Sequence, residues 1–328
     1  MIGDMASMQE AAQVVTLSAP AMACEFSIQF PAEEQDRRFV MEAFEWIEHL
    51  EEQLSVYRES SELSTINRTA SEQSVRVEPS LYELLKRCRE WTRVSQGAFD
   101  VTAGPLVKAW GFFQRQGTIP SEAALAEALA KVGIERLHFD DEQRTIQYSS
   151  PGMEINLGAV GKGYALDHVA ARLKRVGHRS LLLGAGASSI LAVGRPPWDD
   201  AWTVDLRHPM NRNRPIALVR LKDAAISTSA ISEQNFEEGG KRFGHVIDPR
   251  NGKPVEGMLQ VTALAESAAE AEALSTAFFV NGVPWSETYC RRHPDVGAML
   301  LPESKSADLR MHLFGRMREF VVLPEANG

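Results

Sequence analysis

The sequence predicts an α+β fold: a largely antiparallel sheet with flanking helices, folded as one intertwined domain or as two lobes without a clean linker. Three observations carry this. Beyond Glu154, short strand-like runs follow one another with few helices between them, where a doubly wound fold would alternate strand and helix. Two such runs, Arg136 to Phe139 and Arg144 to Tyr148, bracket the turn-forming Asp140-Asp141-Glu142-Gln143 as a hairpin would. No internal repeat, low-complexity tract or obvious linker marks a boundary in the 328 residues, although length alone gives a prior of about two domains.

In chain order, residues 1–13 are expected to be disordered. Val14 to Phe30 alternates and is rich in strand formers. Phe39, Ala43, Phe44, Ile47, Leu50 and Leu54 recur at helical spacing and predict a long amphipathic helix with Glu45, Glu48, Glu51 and Glu52 on its polar face. A second helix from about Pro79 to Val94 turns Leu81, Leu84, Leu85, Cys88 and Trp91 inward and stops at Gly97; a third runs from Ser121 to about Val132 and stops at Gly133. After the hairpin come a helix from Gly161 to Val176 and strands at Ser180–Leu183, Ser189–Val193, Trp202–Leu206, Ile216–Leu221 and Leu259–Leu264. A helix from about Ala268 to Val280 and two or three short strands close the chain.

Hydrophobic residues make up 44% and charged residues 24%, an ordinary globular balance that excludes disordered, collagen-like and coiled-coil classes. The net charge of −9 disfavours a general nucleic-acid or anionic-membrane binder, since both demand a basic face. Three separated cysteines, Cys24, Cys88 and Cys290, are too few for a disulfide framework or a zinc cage. The residues before Cys24 lack Lys or Arg and a sustained apolar run, so they fail as a signal peptide. No 18 apolar residues run together, so no membrane span is expected. A cytoplasmic location is the default, and a periplasmic one follows if an export signal was removed.

Two glycine patterns bear on chemistry. Gly184-Ala185-Gly186 starts like a dinucleotide fingerprint but lacks the third glycine and leads into a strand instead of a helix. Gly158-Ala159-Val160-Gly161-Lys162-Gly163 is no Walker loop. It is expected, however, to join a strand to a helix N-terminus, where free N–H groups and the positive helix end can hold a phosphate or simply form a tight turn. His245 precedes the turn formers Asp248-Pro249 and Asn251-Gly252. It could be a core residue, a carboxylate partner or a general base. Glu272 and Thr276, spaced i, i+4, share one helix face; they offer two hard oxygen ligands suited to magnesium, or belong to a solvated acidic face.

Read in order, five blocks resemble the FAD:protein FMN transferase (ApbE) family. They are Leu54-Ser55-Val56-Tyr57 with Ser61 to Asn67; Gly97-Ala98-Phe99-Asp100-Val101-Thr102-Ala103-Gly104-Pro105-Leu106 with Trp110-Gly111-Phe112; Asn156 to Asp167; Ser227-Thr228-Ser229 with His245 to Pro249; and Ala271 to Ala277. The resemblance spans about 22–280, and the whole of 1–328 reads as one ApbE-like domain around it.

The resemblance implies a magnesium-dependent enzyme that cleaves the FAD pyrophosphate, attaches FMN through its phosphate to a Ser or Thr of an acceptor protein, and releases AMP. It implies FAD contacts at Met22, Tyr57, Ala98, Phe99, Asp100, Asn156, Lys162 and Ile247, a metal near Ala159, Glu272 and Thr276, and His245 as the base for the acceptor hydroxyl. Other readings are an FAD pyrophosphatase and a flavin-binding protein with weakened catalysis. The chain departs from the family pattern at Asn156 and Glu272, where Asp is usual, at Met22-Ala23-Cys24 and at Ser229-Ala230. The resemblance implies an acceptor pattern of Asp, Gly or Ala, any residue, Ser or Thr, a small residue, then Ala or Thr. Its nearest approach here, Asp200-Ala201-Trp202-Thr203, fails at Val204 and Asp205, so a separate acceptor protein is expected.

Overall fold

The computed structural model describes residues 14–34, 37–304 and 310–323; the expectation for residues 1–13 lies outside them. The α+β fold is present. Strands β1 (Val14–Ala21), β2 (Cys24–Pro31), β3 (Leu181–Ala185), β4 (Ser189–Val193), β5 (Trp202–His208), β6 (Asn211–Leu221), β7 (Ala225–Ala230), β8 (Met258–Ala265), β9 (Gly297–Pro302), β10 (His312–Gly315) and β11 (Val321–Val322) make up its two principal sheets. The larger has 8 strands in the order β1-β2-β3-β4-β7-β8-β9-β10, every neighbour antiparallel. The smaller has the order β11-β6-β5. The N-terminal hairpin therefore joins strands more than 150 residues downstream: Phe26 lies opposite Ala185.

Side-chain alternation gives the large sheet two different faces. Phe26, Ile28, Phe30, Leu181, Leu183, Leu191, Val193, Val261, Ala263 and Ala265 belong to the main core. That core is roofed by helices α1 (Arg38–Leu54), α2 (Glu62–Thr69), α3 (Pro79–Val94), α4 (Gly161–Arg175) and α5 (Ala268–Arg292). The opposite face is apolar at Leu182, Ala192, Ile226 and Leu264, where the small sheet packs through Trp202, Val204 and Leu206. It is polar at Ser27, Gln29, Thr228 and Gln260.

Several expectations need correction. Val14 to Phe30 is a hairpin, because Met22 and Ala23 both take positive φ (47° and 59°) and reverse the chain. The late helix continues past Val280 to Arg292 across a break at Gly282, φ 73°. In place of the strand expected before the glycine loop there is a single bridge, Ala103 to Glu154. Helix α2 and central strand β7 were not anticipated. The first is short, with Ser61 accepting from the Ser64 N–H. The second carries three hydroxyl residues, a composition that periodicity cannot rank as central. No helix among the described residues is long and apolar enough to cross a membrane.

The crossing of α4 and α5 fixes where Lys162 stands relative to Glu272. Asp167 on α4 accepts from the N–H groups of Ala268 (2.7 Å) and Ala269 (3.0 Å), satisfying orphan donors at the start of α5 from outside that helix. Gly163 allows the approach, since a Cβ there would lie 2.3 Å from the Ala268 carbonyl oxygen. Gly163→Ala is expected to push the helices apart and destabilise the fold by about 1–3 kcal/mol, the usual range for overpacking a close contact. A denaturant melt with an unchanged midpoint would refute it.

Candidate active site

Lys162 stands in the first turn of α4, and Glu272 in the second turn of α5. Their approach brings Nζ to 3.6 Å from Oε1. Glu272 is 3% exposed, so the alternative of a solvated acidic face does not hold for it. The Glu272 carboxylate raises the Lys162 pKa, outweighing the opposing effect of burial. Ser189 Oγ, on β4, also donates to Oε1. Oε2 is left buried with no hydrogen-bond partner among the described residues. A buried carboxylate oxygen without a donor is costly unless a cation completes it.

The surroundings suit a hard cation. Thr276, one turn beyond Glu272, is partly buried, and so is Ala159, three residues before Lys162. A carboxylate and a hydroxyl one helical turn apart are hard oxygen donors of the kind magnesium takes, that ion usually keeping water and phosphate in the rest of its shell. No group of three or more His, Cys, Asp or Glu side chains that could hold a metal exists among the described residues. By their chemistry, oxygen donors of this kind suit magnesium better than zinc, which favours His and Cys.

His245 lies nearby. Its Nδ1 is 3.1 Å from the Gln234 carbonyl oxygen. A carbonyl can only accept, so Nδ1 carries the proton and Nε2 keeps its lone pair. Burial pushes the His245 pKa down; the Gln234 bond opposes this, and the nearby Lys162 charge adds to it. The ring is thus neutral near pH 7, with Nε2 as its basic nitrogen. Glu233 Oε2 sits 3.9 Å from Nε2. Cys24 completes this neighbourhood: burial raises its thiol pKa, and the charges of Lys162 and Glu272 act on it in opposite senses. Met22 and Ala23 form the turn beside it.

A second recess, of about 220 Å³, is lined by Tyr57, Phe113, Asn156, Glu154 and Lys108. Tyr57 is 66% exposed and stacks on Phe113, centroids 4.5 Å apart at 26°. The exposed Tyr57 ring, backed by the partly buried Phe113, offers a platform for a planar ring system. Asn67 braces its rear wall, bonding the Ile155 carbonyl (2.9 Å) and N–H (2.8 Å). Asn156 Oδ1 accepts from the Gly158 N–H at 2.8 Å and so shapes the glycine loop.

The other expected flavin contacts are differently disposed. Ala98 and Phe99 are buried, so side-chain contact from them is closed off and only backbone groups remain. The Asp100 carboxylate is engaged by the N–H groups of Thr102 and Ile134 and the Thr102 hydroxyl, and burial raises its pKa. Ile247 is buried beside Leu106, Trp110 and Phe112. Ser189, Glu233 and Phe113 were missed. Phe113 adjoins the Trp110-Gly111-Phe112 block and its aromatic character was legible; nothing local marked the other two.

Known proteins share this sequence pattern and this fold. A sequence model of the ApbE family matches residues 22–300. The FAD:protein FMN transferase of Vibrio cholerae is 30% identical over 285 residues, covering 85% of this chain and 84% of that protein. That of Treponema pallidum is 30% identical over 292 residues, with 84% and 80% covered. The crystal structure of the ApbE protein from Thermotoga maritima superposes with a TM-score of 0.85 at 26% identity, covering 94% of this chain and 99% of that one. The flavin transferase ApbE of Vibrio cholerae gives 0.83 at 25%, covering 94% and 99%.

Proposed function

Because the chain belongs to the ApbE family of flavin transferases, we propose that it is a magnesium-dependent FAD:protein FMN transferase, working as one domain on a separate acceptor protein. The observation that carries the reading is a neutral histidine with a free Nε2 lone pair, within the electrostatic reach of a Lys162–Glu272 pair whose carboxylate keeps one oxygen unpartnered.

The chemistry follows from these groups. The acceptor Ser or Thr hydroxyl gives its proton to His245 Nε2 as its oxygen bonds to the FMN phosphorus. The bond from that phosphorus to the bridging oxygen breaks, and AMP leaves with that oxygen. General-base removal of the proton matters because a neutral hydroxyl is a weak nucleophile. Lys162 supplies fixed positive charge at a helix N-terminus where pyrophosphate charge shifts during the reaction. Magnesium, held by Glu272, Thr276 and the Ala159 carbonyl, would further neutralise the phosphates. The Tyr57–Phe113 platform and Asn156 receive a ring of FAD, and Met22, the Ala98-Phe99-Asp100 segment and Ile247 line the remainder through backbone or apolar contact.

The test is incubation with FAD and magnesium, with and without a synthetic peptide carrying Asp-Gly-Ala-Thr-Ser-Ala. A yellow peptide adduct that survives denaturation, with one AMP per adduct, is the expected result. AMP without adduct would make the protein a pyrophosphatase, and tight FAD binding with no AMP a flavin-binding protein.

A further inference from the structure

The polar part of the large sheet's second face remains uncovered, forming the floor of an open cleft of about 650 Å³. Its floor is Ser27 and Gln29 on β2, Thr228 on β7 and Gln260 on β8, and one wall is the whole length of β5 from Thr203. Three observations say what occupies it. Gln260 is 3% exposed yet lines the cleft, so its side-chain amide brings a donor and an acceptor to the floor. Such an amide, like that of Gln29 on the same floor, pairs with a ligand that carries both donor and acceptor groups. Next, β5 is the edge of its sheet and pairs only with β6 among the described residues, so one row of its backbone N–H and C=O groups faces outward. Last, the charged lining is Glu25, Asp205 and Glu233 against Arg207. That excess of acid disfavours a nucleotide or another polyphosphate.

Dual donor–acceptor amides beside a free strand edge match the repeating groups of an extended polypeptide, the strand-addition mode of peptide recognition. One end of the cleft leads to the reaction. Glu233 lines it, and the Glu233 carboxylate is the group 3.9 Å from His245 Nε2. Gly184 keeps the floor open beside Ser27, since a Cβ would come 2.7 Å from Ser27 Oγ. We propose that this cleft is the acceptor-docking site: the segment flanking the modified Ser or Thr lies along β5 as an added strand, with Gln260 bonding its backbone, and delivers the hydroxyl past Glu233 to His245. The inference rests on the transferase reading for the identity of its occupant.

The test is a binding measurement that needs no turnover. A fluorescein-labelled peptide carrying Asp-Gly-Ala-Thr-Ser-Ala is titrated with the full chain in fluorescence polarisation, without FAD. Gln260→Leu removes the amide at similar size, and Thr203→Trp fills the cleft from an exposed wall position. Each is expected to raise the peptide Kd about tenfold or more, the loss of one or two good hydrogen bonds. Flavin fluorescence quenching should report an unchanged FAD Kd, which also shows that the variants are folded. Parental peptide affinity in both variants, or no peptide binding by the parent, overturns the proposal. The two readings fail separately. Cleft-dependent binding without FMN transfer rejects the transferase and keeps the docking site, whereas transfer with an unchanged peptide KM in both variants does the reverse.

Discussion

Replacing His245 with alanine is expected to lower FMN transfer by about 10²–10⁴-fold, the usual cost of losing a general base, with the affinity for FAD unchanged. The ring's fixed tautomer is the reason: Nδ1–H is committed to the Gln234 carbonyl and Nε2 is the nitrogen left to accept a proton. The parent enzyme should also show a pH dependence of one sign. Burial lowers the His245 pKa below its ordinary value of about 6.5, so the imidazole is neutral and active above that pH. Transfer falls as the medium is acidified through the lowered pKa, and the acid limb has its midpoint below about 6.5. Single-turnover rates with the peptide acceptor, from pH 4.5 to 8, read both outcomes. An alanine variant with the parental rate at saturating FAD would return His245 to a structural role.

Glu272→Gln should weaken magnesium binding on the order of 100-fold, and transfer at fixed magnesium should drop with it. A neutral amide is a poor ligand for a hard dication, and losing even an outer-shell partner of a metal ligand costs roughly 10–100-fold. The substitution also removes the charge facing Lys162 Nζ and puts an amide where Ser189 now donates. Glu272→Asp restores the carboxylate on a shorter arm and is expected to keep magnesium binding. Calorimetric titration of magnesium into each variant in the presence of FAD decides the matter. A glutamine variant that titrates like the parent would place the metal elsewhere.

Much of the fold was legible because long amphipathic helices and alternating strands carry their own periodicity. The second helix, Pro79–Val94, lies where its apolar spacing and its Pro at the first turn place it. The hairpin Leu137–Asp140 with Thr145–Tyr148 follows from turn residues between two runs of strand formers. Short elements defeat this reasoning. In β7, Ser227 and Ser229 face the core side and the flanking pattern reads as polar, although the strand is central in the sheet.

The candidate site divides along similar lines. By itself the sequence determined the residue types and their order: a glycine loop with Lys162, a histidine before a turn, and a carboxylate and hydroxyl one helical turn apart. These are local facts, set by spacing along single elements. Only the tertiary structure decided which of them meet. Gly163 and Asp167 bring α4 onto the start of α5, so that Lys162 reaches Glu272 across more than a hundred residues of chain. The Gln234 carbonyl selects the tautomer of His245, and burial of the Asp100 carboxylate by Thr102 and Ile134 commits it to the scaffold. Each outcome depends on desolvation and on partners brought in from distant segments, and neither quantity is encoded in the spacing of nearby residues.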